Sequence, residues 1–246
     1  MANGFEAYEA SVFDSVKRCL KKTSISKYIR NGDEMDNNVK ERFENASKEY
    51  VNDRYIWRKR ASELASNLSA PCQNDVILDM GCGTGKQIIE LSSAIRLGIG
   101  IDISQGMIEQ SIGNAKTKNR ENVKFYVGTF EEPNQNIDLK SKHITKIISN
   151  YALHHLDLQE KKHAIKKLVD VGGESLLTII IGDLMFSDDP IKYKDEYDTT
   201  IGYGPGNDQP STVQELVDCF SDLNFRIQVH QIHPLVGVLV ANRNGE

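Results

Sequence analysis

The chain has 246 residues, with 30 Lys and Arg against 35 Asp and Glu, a net charge of −5. That length is enough for one buried α/β core, and the acidic balance offers no overall field for nucleic acid or an anionic membrane surface. Cys19, Cys72, Cys82 and Cys219 form no C-x-x-C pair, which argues against a zinc site or a disulfide framework and for a reduced, cytoplasmic compartment.

The N-terminus lacks a basic stretch followed by an apolar core, so no signal peptide is expected, and no apolar run is long enough for a membrane span. Phe5, Tyr8, Val12, Phe13, Val16 and Leu20 recur at helical spacing and predict an amphipathic helix over residues 5–20. Lys17, Arg18, Lys21, Lys22, Lys27 and Arg30 follow with no acid among them. A solvated face accounts for such a run, and a grip on an anionic partner is the other reading. Turn formers over 31–38 close this extension, and residues 39–68 read as helix, in one piece or in two broken near Asn52. Residues 1–38 are therefore expected to be an N-terminal helical extension and 39–246 the main domain.

From residue 76 the chain alternates as a parallel sheet with crossover helices should. Strands are predicted over 76–80, 97–101 (closing on Asp102), 123–127, 144–149 and 175–181. Between them, Ser104 is a fair N-cap for a helix to residue 118, and a second helix covers 159–169. A polar, tyrosine-bearing insertion over 184–210 comes next. Thr212 with Glu215 then gives a capping-box pattern for a helix to residue 223. Residues 225–231 and 236–241 are near enough in sequence to pair antiparallel.

The stretch around which all of this is arranged reads V-I-L-D-M-G-C-G-T-G over residues 76–85. A strand ends on Asp79, breaks into Gly81, Gly83 and Gly85, and runs into a helix. That layout lets backbone approach a bulky polar ligand closely. The spacing is G-x-G-x-G, not the G-x-G-x-x-G of nicotinamide sites.

These motifs, with Gly100-Ile101-Asp102-Ile103-Ser104, Gly128-Thr129-Phe130 and Asn150-Tyr151-Ala152-Leu153-His154-His155-Leu156, each at a predicted strand end, resemble those of class I S-adenosylmethionine-dependent methyltransferases. The resemblance runs from about residue 39 to residue 243. It implies a Rossmann-like α/β fold: a mostly parallel seven-stranded sheet with helices on both faces. It also implies S-adenosylmethionine as cofactor.

On that resemblance, Asp79 sits near the ligand's ammonium, and Gly81, Cys82, Gly83 and Gly85 line its amino-acid end. Asp102 accepts from the ribose hydroxyls, and Ile103 packs on the adenine. Met107 touches the adenine edge or fills core. Thr129 stands where many relatives carry an acid for the adenine amino group, so that contact is weaker here or is moved to backbone near Phe130. Asn150 lies between cofactor and acceptor, and Tyr50 covers the cofactor from the N-terminal helix or is a buried aromatic. His155, whose ordinary pKa lies near neutrality, is the candidate general base; hydrogen bonding to backbone under the substrate loop is its other reading. Asp183 orients an amine, acts as a base or caps a turn. His230 and His233 would face opposite sides of a strand and make a poor metal pair. Methyl transfer to a small-molecule acceptor is the expected activity, with nucleic acid an improbable partner on net charge; an RNA or protein methyltransferase and a non-catalytic cofactor-binding regulator are the alternatives.

Overall fold

The structure is a computed structural model that describes residues 55–205 and 208–245. The extension expected over 1–38, the start of the helix over 39–68 and Tyr50 lie outside the described residues.

The described chain begins with α1 (Ile56–Leu68), followed by β1 (Val76–Met80), α2 (Lys86–Leu91), β2 (Leu97–Asp102) and α3 (Gln105–Thr117). It continues through β3 (Val123–Val127), β4 (Lys146–Asn150), α4 (Leu158–Gly172) and β5 (Thr178–Phe186). After the insertion come β6 (Ser211–Thr212), α5 (Val213–Asp218), β7 (Phe225–His233) and β8 (Val236–Arg243). The sheet order is β3-β2-β1-β4-β5-β8-β7, with the two-residue β6 beside β5. β1 pairs parallel with β2 on one side and β4 on the other, and β8 pairs antiparallel with β5 and β7. The strand order reverses between β1 and β4, which places a crevice at their carboxyl ends.

Alternate residues of the central strands enter opposite cores. Leu78, Ile147, Ile179 and Ile181 face Ile165 and Leu168 of α4 and Leu216 of α5. Ile77, Ile148 and Ile180 face Ala61 and Ala65 of α1, Ile89 of α2 and Ile108 of α3. A sheet covered on both faces needs strands that are apolar at every position, and β1 is buried along its whole length. The expected sheet, with helices on both faces, is therefore what forms.

Two boundaries shift for reasons with consequences at the site. α4 starts one residue earlier and ends three residues later than the sequence pattern suggests, because Asp157 and Glu160 form a reciprocal capping box at its start. β5 moves further. Residues Gly173–Ser175 make a 3-10 turn, so the strand begins at Thr178 rather than 175. It then continues past Gly182, because β8 keeps pairing with it through Asp183↔Gly237 and Leu184↔Val236. Asp183 therefore lies inside the sheet, not at its end.

Candidate active site

The carboxyl ends of β1, β2 and β4 open on a cavity of about 1100 Å³. Its floor is the turn from β1 to α2. Gly81, Gly83 and Gly85 all have positive φ there, and the surroundings show why each is glycine. A Cβ on Gly81 would lie 2.4 Å from Ala152 Cβ, and one on Gly85 would lie 2.7 Å from the Phe125 ring. A Cβ on Gly83 would meet nothing within 4 Å. Gly81 and Gly85 are thus demanded by packing, and Gly83 presents bare backbone to the cavity. Gly85 itself is not among the residues lining it. The sequence expectation for Gly85 is corrected here: it seats α2 on β3.

From this turn Asp79, Gly81, Cys82 and Gly83 line the cavity. Asp102, Ile103 and Met107 line it from β2 and α3; Thr129 and Phe130 come from the turn after β3, and Asn150 and His155 from beyond β4. Asp102 is fixed by the local chain: Oδ2 accepts from Gly83 N at 2.8 Å and Oδ1 from Ser104 N at 3.0 Å. Ser104 in turn caps α3 through Met107 N. The Thr129 hydroxyl accepts from Glu132 N at 3.0 Å and so serves its own turn. Asn150 donates to Gln87 Oε1 and ties the end of β4 to α2.

Asp79 is 3% exposed. Burial, reinforced by the negative charge of Asp102, raises its pKa to about 7. Burial also pushes the Cys82 thiol well above its ordinary value, with Asp102 and Asp79 adding to the effect. Cys82 therefore stays protonated and is no nucleophile.

The outer half of the cavity is built by α1, α4 and the residues after β4. Arg58 of α1 lies over the Tyr151 ring, 5.5 Å from its centroid, a cation–π distance. Tyr151 has φ of +50° and a buried side chain. Glu160 and His163 enter from α4.

Asp183 does not reach this space. Its Oδ1 lies 2.5 Å from His154 Nδ1 and accepts from Leu184 N, while Oδ2 accepts from His154 N at 3.2 Å. Burial alone would raise its pKa, but the His154 contact, the Leu184 N–H and the nearby Lys161 outweigh it and lower the value. It is an internal brace for His154, and the expected role toward an acceptor is corrected. His155 does line the cavity, and its Nδ1 is 3.4 Å from Asp208 Oδ1. Asp208 and the buried Lys161 were not singled out in the sequence. Their only local signals are a polar loop and an ordinary helical lysine. His230 and His233 lie on β7, where His233 packs between Trp57 and Tyr193 and makes no site with His230.

Among the described residues, no helix is long and apolar enough to cross a membrane. A family profile described as "Methyltransferase domain" matches residues 72–180. The chain is 30% identical over 105 residues to the uncharacterized methyltransferase YcgJ of Bacillus subtilis, covering 41% of this chain and 39% of that one. It is 27% identical over 109 residues to the 23S rRNA (uracil(1939)-C(5))-methyltransferase RlmD of Haemophilus parainfluenzae, covering 44% of this chain and 23% of that one. The matched stretches thus span well under half the length of these two relatives. Among solved structures, magnesium protoporphyrin IX methyltransferase ChlM of Synechocystis with bound SAH superposes with a TM-score of 0.63 at 18% identity, over 85% of this chain and 100% of that one, a likeness of fold. With the glycine turn and Asp102 at the strand-order reversal, and the profile match over residues 72–180, this part of the chain is similar to class I S-adenosylmethionine-dependent methyltransferases.

Proposed function

We propose that the protein transfers the methyl group of S-adenosylmethionine to a small-molecule acceptor bound in the outer half of the cavity. The observation that carries this reading is the continuity of that cavity, from Asp79, Gly83 and Asp102 to Arg58, His155 and His163.

The residues present fit the cofactor. Gly83 leaves room for backbone to approach an aminocarboxylate. Asp79 is a buried carboxylate whose charge is suppressed, and a ligand with an ammonium and a sulfonium is what would restore it. Asp102 lines the cavity with its oxygens oriented by the Gly83 and Ser104 N–H groups, which sets a carboxylate where ribose hydroxyls could donate to it. Ile103, Met107 and Phe130 give the apolar wall an adenine needs. When bound, the cofactor supplies a methyl group on a cationic sulfur, which needs no further activation. The protein then has to align the acceptor and exclude water. His155 takes the acceptor's proton where one must leave.

The lining favours a small acceptor over a polyanion. It carries six carboxylates, Glu63, Asp79, Glu90, Asp102, Glu131 and Glu160, against Arg58, Lys59 and Lys86. A phosphate backbone calls for a track of one sign. Methylation of RNA is the second reading, and the likeness to RlmD is what favours it.

The test is thermal denaturation with S-adenosylmethionine, S-adenosylhomocysteine and NAD, followed by release of S-adenosylhomocysteine against amines, phenols, thiols, carboxylic acids and ribosomal RNA fragments. At about 100-fold over its dissociation constant an adenosyl ligand adds about 2.7 kcal/mol, and NAD should add nothing. Turnover with RNA alone would replace the small-molecule reading.

A further inference from the structure

We propose that Asp208, on the return of the insertion after β5, is a positioning residue that sets His155 with its proton-accepting nitrogen toward the cavity. The role of His155 rests on the small-molecule reading above; the placement of its proton does not.

Asp208 presents one oxygen to the imidazoles and anchors the other. Its Oδ2 accepts from Gly204 N at 2.7 Å, and its own N donates to Gly204 O at 3.0 Å. Its Oδ1 lies 3.4 Å from His155 Nδ1 and 3.9 Å from His154 Nε2. Burial would raise the carboxyl, but the contact with His155, the charge of His154 and the Gly204 N–H outweigh it and hold its pKa at about 2. Asp208 is therefore a permanent acceptor beside two imidazoles.

Only one of the two is placed to serve it. His154 Nδ1 is 2.5 Å from Asp183 Oδ1, so the neutral ring carries its proton there and turns its Nε2 lone pair toward Asp208. Asp208 Oδ1 is then left facing His155 Nδ1, a buried nitrogen that makes no hydrogen bond to it at this 3.4 Å separation and that a proton on Nδ1 would join to the carboxylate. An imidazole with its proton on Nδ1 has its lone pair on Nε2, at the other edge of the ring. His155 lines the cavity while its Nδ1 edge faces Asp208, so Nε2 is the nitrogen an acceptor would meet.

The surrounding charges suit a proton arriving there. Lys161, 3% exposed, donates to Gln209 O and, at 2.9 Å, to Ser211 Oγ, and Gln209 N donates to His154 O at 2.6 Å. These bonds fix the segment that carries Asp208. Lys161, Asp183 and Asp208 together carry one positive and two negative charges, so the two imidazoles sit beside a net negative charge that favours a proton arriving on His155. Among the described residues, Arg58, Lys59 and Glu63 of α1, Glu160 and His163 of α4, and Tyr151 are charged or titratable groups on the outer part of the same cavity, with Lys86, Glu90 and Glu131 further along it. In the transfer step, the bond from the acceptor atom to the methyl carbon forms as the carbon–sulfur bond breaks. The electron pair stays on sulfur as a neutral thioether, and the acceptor's proton passes to His155 Nε2.

The experiment is imidazole nitrogen NMR on the full chain, with His155 assigned through His155→Gln, followed by the same measurement on Asp208→Asn and Asp208→Glu. The neutral wild-type ring is expected as the Nδ1–H tautomer. In Asp208→Asn the tautomers should mix and the titration midpoint of His155 fall by about one unit, with Asp208→Glu restoring part of both. The acid limb of kcat should follow, turnover at neutral pH should drop at least about tenfold, and the thermal shift with S-adenosylhomocysteine should stay unchanged. A wild-type Nε2–H tautomer, or a His155 titration indifferent to Asp208, would overturn the proposal. So would one equivalent of zinc held by His154, His155 and Asp208, whose ligand atoms lie within 4.8 Å of one another. The tautomer is read without an acceptor, so it decides the matter even where wild-type turnover of every small acceptor fails. It is also read on wild-type protein, so a variant that does not fold leaves it standing.

Discussion

Binding of the cofactor should be linked to protonation of Asp79, and the size of the linkage follows from its environment. In the free protein burial and Asp102 place its pKa at about 7. The ligand's ammonium needs the carboxylate, so affinity should weaken as pH falls. With a pKa of about 7, the carboxylate is about nine-tenths formed at about pH 8 and about one-tenth at about pH 6, so the dissociation constant should rise about tenfold between them. Near pH 7 each binding event should release about half a proton. Titration calorimetry with S-adenosylhomocysteine in two buffers of different ionisation enthalpy measures both quantities. Asp79→Asn should abolish the slope and weaken binding by about 2 kcal/mol or more.

The same shift predicts the stability of the free protein. An unfolded aspartate titrates near pH 4, so between about pH 4 and about pH 7 the folded chain holds a proton that the unfolded chain has lost. Stability should therefore fall as pH rises through this window, by about 4 kcal/mol for a shift of about three units, and level off above it. Saturating ligand should remove the fall. An affinity that is flat from about pH 6 to about pH 8, with no proton released by the wild-type protein, would refute the reasoning.

Three further outcomes separate the roles assigned above. Gly83→Ala should fold with a loss of about 1–2 kcal/mol from its positive φ and lose the thermal shift with S-adenosylhomocysteine, whereas Gly85→Ala should strike the Phe125 ring, destabilise more and keep the shift in whatever fraction folds. Lys161→Met should lower stability in urea by about 1–3 kcal/mol, because Gln209 O and Ser211 Oγ lose their donor and Asp183 loses a nearby cation. Tyr151→Phe should raise stability by about 1 kcal/mol, since among the described residues the buried Tyr151 hydroxyl meets no hydrogen-bond partner.

The residues that line the inner half of the cavity were legible in the sequence because they are local. Asp79, the glycines and Asp102 sit on two consecutive strand-to-helix turns. What the spacing could not tell was that Gly85 answers to Phe125 on β3, a contact made across the sheet. The acceptor half is not local, and both of its surprises come from one feature. β8 pairs with β5 as far as Leu184, which carries β5 beyond Gly182 and encloses Asp183. The same extension leaves Met185 and Phe186 as an edge on which Ser211 and Thr212 dock as β6. That docking returns the insertion beside α4, where Lys161 holds it, and sets Asp208 against His154 and His155. A strand read over 175–181 puts Asp183 in the mouth; a strand that ends at Phe186 encloses Asp183 and brings the loop residue Asp208 against His155. The position of one strand end, fixed by a partner more than fifty residues later, decides which carboxylate can reach the imidazole that faces the cavity.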